Sequence, residues 1–81
     1  MTQSWQEKED RLLKAYVFDG FASAIGFMVE VALFCDKVDH HPEWKNVYNK
    51  VFVELTTHDT GGVSEKDRML AAHMDKIFGA K

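Results

Sequence analysis

The chain has one cysteine, Cys35, so an internal disulfide is excluded. Its place inside an apolar run favours a small buried hydrophobe over a reactive thiol. The single proline, Pro42, pushes His41 toward extended backbone and ends any preceding helix before that point. No apolar run is long enough to cross a bilayer: the strongest, Phe21 to Phe34, is interrupted by Glu30. No membrane role is expected. Lys and Arg number 10 against 13 Asp and Glu, for a net charge of −3, and they nowhere cluster. The surface therefore lacks the electrostatic footprint of phosphate neutralisation, which argues against direct nucleic-acid binding. No Gly-rich phosphate loop follows a strand, so a nucleotide cofactor is unsupported, and Gly61-Gly62 reads as a turn. No serine or cysteine stands in a recognisable nucleophile setting. The polar, acidic start of the chain has neither the basic nor the apolar stretch of a signal peptide, which predicts a cytoplasmic protein.

The length of 81 residues fits a single domain spanning 1–81. A lone core of this size yields only roughly 3–5 kcal/mol of net stability. With no disulfide available, oligomerisation is the remaining source of support.

Leu12 to Phe18 is short, rich in β-formers and closed by Asp19-Gly20, which reads as a strand, with Trp5 to Lys8 pairing to it across Glu9-Asp10. From Phe21 the period changes. Phe21, Ala24, Ile25, Met28, Val31, Ala32 and Cys35 recur at helical spacing, with Asp19 as N-cap. A second row, Phe27, Phe34 and Val38 beside Leu33, widens the apolar surface beyond one stripe. Either the helix is a broadly buried core element, or its second side meets another subunit.

Glu43 to Tyr48, a turn near Asn49-Lys50 and Val51 to Thr57 form a hairpin. In it Val51, Val53 and Leu55 face one way, and Phe52, Glu54, Thr56 and His58 the other. Ser64-Glu65-Lys66-Asp67 has the spacing of a capping box, and Leu70, Met74, Ile77 and Phe78 make a helical stripe ending at Gly79. The predicted fold class is α+β: an antiparallel β-sheet of about four strands, with a long helix and a C-terminal helix packed on one face.

Of the four histidines, three gather around the second hairpin: His40 and His41 before Pro42, and His58 after it. An imidazole with an ordinary pKa of about 6.5 exchanges a proton near neutrality, so this grouping suits acid–base chemistry. Trp44 offers a flat apolar wall. Three histidines can also hold a catalytic zinc, but adjacent ligands on one extended dipeptide chelate poorly. His73 lies beside the apolar stripe of the last helix and reads as a flanking residue, while Asp67 already has a structural role as cap partner.

Asp39-His40-His41-Pro42-Glu43-Trp44, Asn46-Val47-Tyr48-Asn49-Lys50-Val51, Leu55-Thr56-Thr57-His58 and Gly62-Val63-Ser64-Glu65-Lys66-Asp67 closely resemble the pterin-4a-carbinolamine dehydratases. The likeness runs from near Trp5 almost to the C-terminus and includes Phe27-Met28 and Val31-Ala32-Leu33. It implies a hydro-lyase that converts 4a-hydroxytetrahydropterin into quinonoid dihydropterin and water, recycling tetrahydrobiopterin with no metal and no organic cofactor. It also implies catalytic roles for His40, His41 and His58, and substrate-side positions for Asp36, Asp39, Trp44, Thr57 and Asp67. His40 is the expected acid at the departing hydroxyl, with His58 sharing proton transfer and His41 orienting the substrate.

Animal members of the family also act, through the long helix, as a dimerisation cofactor for a homeodomain transcription factor. A homo-oligomer, a dimer or tetramer through that helix, is therefore expected. A nuclear, partner-binding role with a vestigial pocket is the alternative, and a transcription-factor partner has no support in the residues themselves. Two residues depart from the family pattern. Asp36 stands where Glu is usual, one methylene shorter, and Lys66 stands where animal members commonly have Arg.

Overall fold

The computed structural model describes residues 4–80. Strand β1 (Gln6–Lys8) and β2 (Arg11–Val17) form a hairpin, helix α1 (Phe21–Val38) follows, β3 (Glu43–Val47) and β4 (Lys50–Leu55) form a second hairpin, and α2 (Glu65–Gly79) closes the chain. The four strands make one antiparallel sheet in the order β1-β2-β4-β3. This is the α+β arrangement expected from the residue pattern. Among the described residues no helix is long and apolar enough to cross a membrane.

Alternation along the central strands decides which face is covered. Leu12 and Tyr16 of β2 and Val51, Val53 and Leu55 of β4 are buried against Ala24, Phe27, Val31 and Cys35 of α1 and Leu70, Ala71 and Met74 of α2. Both helices thus lie on one side, and the other side of the sheet is open. Tyr16, Phe18, Phe27 and Phe78 form an aromatic knot with ring centroids 4.8–5.3 Å apart along the chain of contacts. Lys14 is carried inward by the same alternation. Its Nζ lies 2.7 Å from Asp75 Oδ1, and Tyr16 OH donates to that same oxygen at 2.6 Å, tying β2 to α2. Burial, then the bond to the Asp75 carboxylate, raises the Tyr16 hydroxyl well above the ordinary tyrosine pKa. Burial likewise raises the Cys35 thiol and keeps it protonated, as a buried hydrophobe requires.

Four details differ from the sequence reading. The N-cap of α1 is Gly20, in extended conformation with no side-chain cap, so Asp19 stands one residue too early to cap the helix. Phe27, read in the second row, is buried with Ala24, Val31 and Cys35 of the first, and Met28 and second-row Phe34 pack against that core, whereas Phe21 and Ile25 are exposed. The second turn falls at Tyr48-Asn49, where Tyr48 takes φ 51°. Asn46 Nδ2 holds that turn by donating to the carbonyls of Tyr48 and Lys50 at 3.0 and 2.9 Å. Finally, β4 ends at Leu55, and His58 opens a single 3-10 turn (His58–Thr60) instead of extending the strand. The backbone of Thr57 pairs both ways with Gly62, closing a small loop in which Gly61 takes φ 75°.

Candidate active site

The chain reverses at the end of α1 through Asp39, which takes the left-handed conformation (φ 55°, ψ 47°) open to Asp and Asn at helix ends. Asp39 and His40 both donate their backbone N–H to the Cys35 carbonyl. The corner that re-aims the adjacent histidines is therefore made at Asp39, before Pro42. It turns His40 inward, leaving its side chain 11% exposed, and His41 outward, leaving 61% exposed.

His40 meets a carboxylate prepared for it. Asp67, fully buried in the first turn of α2, has Oδ1 2.5 Å from His40 Nε2. Its Oδ2 accepts from Thr57 Oγ1 at 2.7 Å and from the Ser64 backbone N–H at 2.9 Å. The second bond is half of the capping box, since the Ser64 side chain accepts in turn from the Asp67 backbone. Burial alone would raise the pKa of this carboxyl. The bonds from His40, Thr57 and Ser64 and the charge of His40 outweigh it, and the group is held below the usual aspartate range. An ionised Asp67 accepts at Oδ1, so Nε2 of His40 carries hydrogen and Nδ1 is the ring nitrogen left for exchange with a ligand. Among the described residues no buried side-chain nitrogen or oxygen lacks a partner.

In front of His40 opens a cleft of about 400 Å³, within the range of small-molecule sites. Its walls come from the corner 39–43, from Glu54 near the end of β4, and from residues 56–59. His40, His41 and His58 all line it, as do Asp39 and Thr57. Asp67 lies behind His40. Asp36 stands one helical turn before that corner, with Oδ1 3.6 Å from His41 Nε2. Trp44 does not line the cleft: it sits opposite Val53 on the covered side of the sheet and packs against the core. Hollows of similar size lie on the open sheet face and beside Phe18 and Phe78, but neither is lined by a histidine. Among the described residues no group of three His, Cys, Asp or Glu side chains is placed to hold a metal ion.

The structure adds an ionic cluster that the sequence reading passed over. Glu43 and Glu54 are direct cross-strand partners, and Arg11 from β2 bridges them, its Nη1 3.4 Å from Glu43 and 3.0 Å from Glu54. The other oxygen of Glu43 lies 3.9 Å from His58 Nε2. The hairpin register held the signal, because two like charges directly opposite in a sheet call for a bridging cation. His73, set aside as a flanking residue, is half-buried and stacks on Phe34 with ring centroids 3.7 Å apart.

The family profile described as pterin 4 alpha carbinolamine dehydratase matches residues 1–77. The chain belongs to the pterin-4a-carbinolamine dehydratase family. A relative from Bordetella avium, named provisionally as such a dehydratase, is 57% identical over 74 residues, covering 89% of this chain and 68% of its own. One from Rhodopseudomonas palustris with the same provisional name is 53% identical over 77 residues, covering 93% of this chain and 76% of its own. Among solved structures, the transcriptional coactivator/pterin dehydratase of Brucella melitensis superposes with a TM-score of 0.88 at 43% identity, covering 90% of this chain and 80% of its own. A pterin dehydratase-like RuBisCO assembly factor of the alpha-carboxysome shares the fold, with a TM-score of 0.78 at 22% identity over 98% of this chain and 92% of its own.

Proposed function

We propose that the protein is a hydro-lyase that dehydrates 4a-hydroxytetrahydropterin to quinonoid dihydropterin in the recycling of tetrahydrobiopterin, without metal or organic cofactor. The observation that carries this reading is the cleft on which His40, His41 and His58 converge, with His40 braced from behind by buried Asp67. The reaction needs a proton delivered to the hydroxyl leaving C4a and another taken from N5, so that water departs as the C4a=N5 bond forms. Imidazoles serve both ends near neutral pH. His40 delivers the proton to the hydroxyl, its hydrogen-bonded Nε2 fixing the ring while Nδ1 exchanges. His58, at the open rim, shares proton transfer at N5. His41 orients the ring, with Thr57 and Asp67 holding the floor and Asp36 and Asp39 the helix side. Trp44 supports the β3 wall from the core side.

A direct ultraviolet assay with freshly generated 4a-hydroxytetrahydropterin tests the reading. Turnover well above the spontaneous rate, unchanged after exhaustive chelation, is the expected result. Turnover at the spontaneous rate defeats the reading, and activity lost on chelation and restored by zinc defeats its metal-free form.

Assembly through α1 belongs to the same proposal. Phe21, Ile25, Val29 and Leu33 recur every fourth residue and are 36–69% exposed, forming an apolar stripe on the side of α1 away from the sheet. A second copy of the helix would bury it, in a cytoplasmic homo-oligomer. The same stripe is what a transcription-factor partner would need, which keeps the partner-binding reading as the second one. Sedimentation of the unmodified protein should give a dimer or tetramer, and Leu33→Glu should shift it toward monomer. A well-behaved unmodified monomer would eliminate the assembly.

A further inference from the structure

The histidine cleft is lined by four carboxylates, those of Asp39, Glu43, Glu54 and Asp59, and by no lysine or arginine. Arg11 approaches its edge but is held by both Glu43 and Glu54, so these three residues together still carry one net negative charge. The cleft is also polarised in depth. His40 is nearly enclosed, whereas the side chains of Glu43 and Glu54 are about half exposed at the mouth and His58 stands beside Glu43. We infer that this acidic mouth selects the substrate's side chain, admitting pterins with neutral or cationic tails and disfavouring those whose tails carry carboxylate or phosphate.

The inference rests on the dehydratase reading for the placement of the ring. Chemistry at C4a and N5 must face the histidines, and C6, which bears the tail, is bonded directly to N5. The tail therefore leaves the ring beside the reacting edge and passes the carboxylates that flank His58. A carboxylate held about 7 Å from an unneutralised one is disfavoured roughly threefold in a water-like medium, and more than tenfold at the effective dielectric of a protein surface. The mouth is partly solvated, so a factor of about ten at low ionic strength is the expected size, shrinking as salt screens it.

The test uses two 4a-hydroxytetrahydropterins with tails of equal length, one ending in a carboxamide and one in a carboxylate, together with the matching non-reacting 7,8-dihydropterins. The amide-to-carboxylate ratio in kcat/KM, and the matching preference in Kd, should be about ten in the unmodified protein and fall toward one at high salt. Removing both charges with Glu43→Gln and Glu54→Gln, which leaves only Asp39 and Asp59 opposite an unpaired Arg11, should bring the ratio down toward one. Arg11→Leu should widen it. A ratio near one in the unmodified protein, or the same ratio in all three proteins, overturns the inference. Loss of turnover for both tails with the Kd preference intact would defeat the dehydratase reading and leave the selectivity standing. Failure of both dihydropterins to bind would defeat the two together.

Discussion

Replacing His40 by alanine is expected to lower kcat by about 10²–10⁴, the usual value of one positioned proton-transfer group. His58→Ala should act on the same parameter, and His41→Ala should raise KM at least as much as it lowers kcat, because an orienting group contributes to ground state and transition state alike. The environments separate these variants in a second way. His58 is 82% exposed and its nearest ionic partner is 3.9 Å away, so its loss should leave thermal stability unchanged. His40 is nearly enclosed and bonded to a buried carboxylate, so its loss should also cost about 1–2 kcal/mol. The double variant lacking His40 and His58 should turn over near the spontaneous rate while folded, measured by stopped-flow ultraviolet absorbance alongside circular dichroism. Near-normal kcat in a folded double variant would remove the histidines from the chemistry. The combined loss need not equal the product of the single ones, since groups acting in one proton-transfer step are not additive.

Much of this arrangement was legible in the chain because the signals were periodic or chemically narrow. The period-two burial of Val51, Val53 and Leu55 placed β4, and the Ser64-to-Asp67 spacing placed the start of α2. Features that depend on where backbone turns were not. His58 looked like the next residue of a strand, and only the Thr57–Gly62 pairing shows that the chain curls there. Trp44 looked like a ligand wall because aromatic residues beside histidines suit one, yet alternation along β3 sends it toward the core and sends Glu43 to the cleft. On α1 the apolar residues cover so much of the circumference that spacing alone does not say which row is inside. Phe27 is settled by its contacts with Tyr16, Phe18 and Phe78, none of which lies on α1. Asp67 is the instructive case. Its cap role was readable and sufficient, so nothing in the sequence pattern required that its other oxygen should hold His40.

That double duty makes Asp67 the position where stability and activity should fall together. Asp67→Ala removes the acceptor for Thr57, Ser64 and His40 at once, at a fully buried position. A lost helix cap costs about 1 kcal/mol and buried donors left without acceptors about 1–3 kcal/mol, so about 3 kcal/mol is expected. A domain of this length has roughly 4–12 kcal/mol in total. The melting temperature should therefore drop by about 10–25 °C, and kcat should fall with it.

Asp67→Asn separates the two effects, because it keeps the shape and one acceptor for Thr57 or Ser64 while presenting an amide N–H₂ to His40. The ring must then accept at Nε2 and carry its hydrogen on Nδ1, the reverse of the arrangement in the unmodified protein. Less than half of the alanine variant's thermal loss, with kcat still down tenfold or more, is the expected pattern; an asparagine variant with normal kcat would reduce Asp67 to a cap. Acid titration supplies a third readout. The folded carboxyl lies below the unfolded value of about 3.9, so its stabilisation is fully present above that pH and is lost as pH falls through the lower folded value. The gap in melting temperature between the unmodified protein and Asp67→Asn should accordingly be widest above about pH 5 and close below about pH 4. A gap that widened on acidification would mean that the buried carboxyl is held protonated, and His40 would then lack the charged partner on which its proposed role depends.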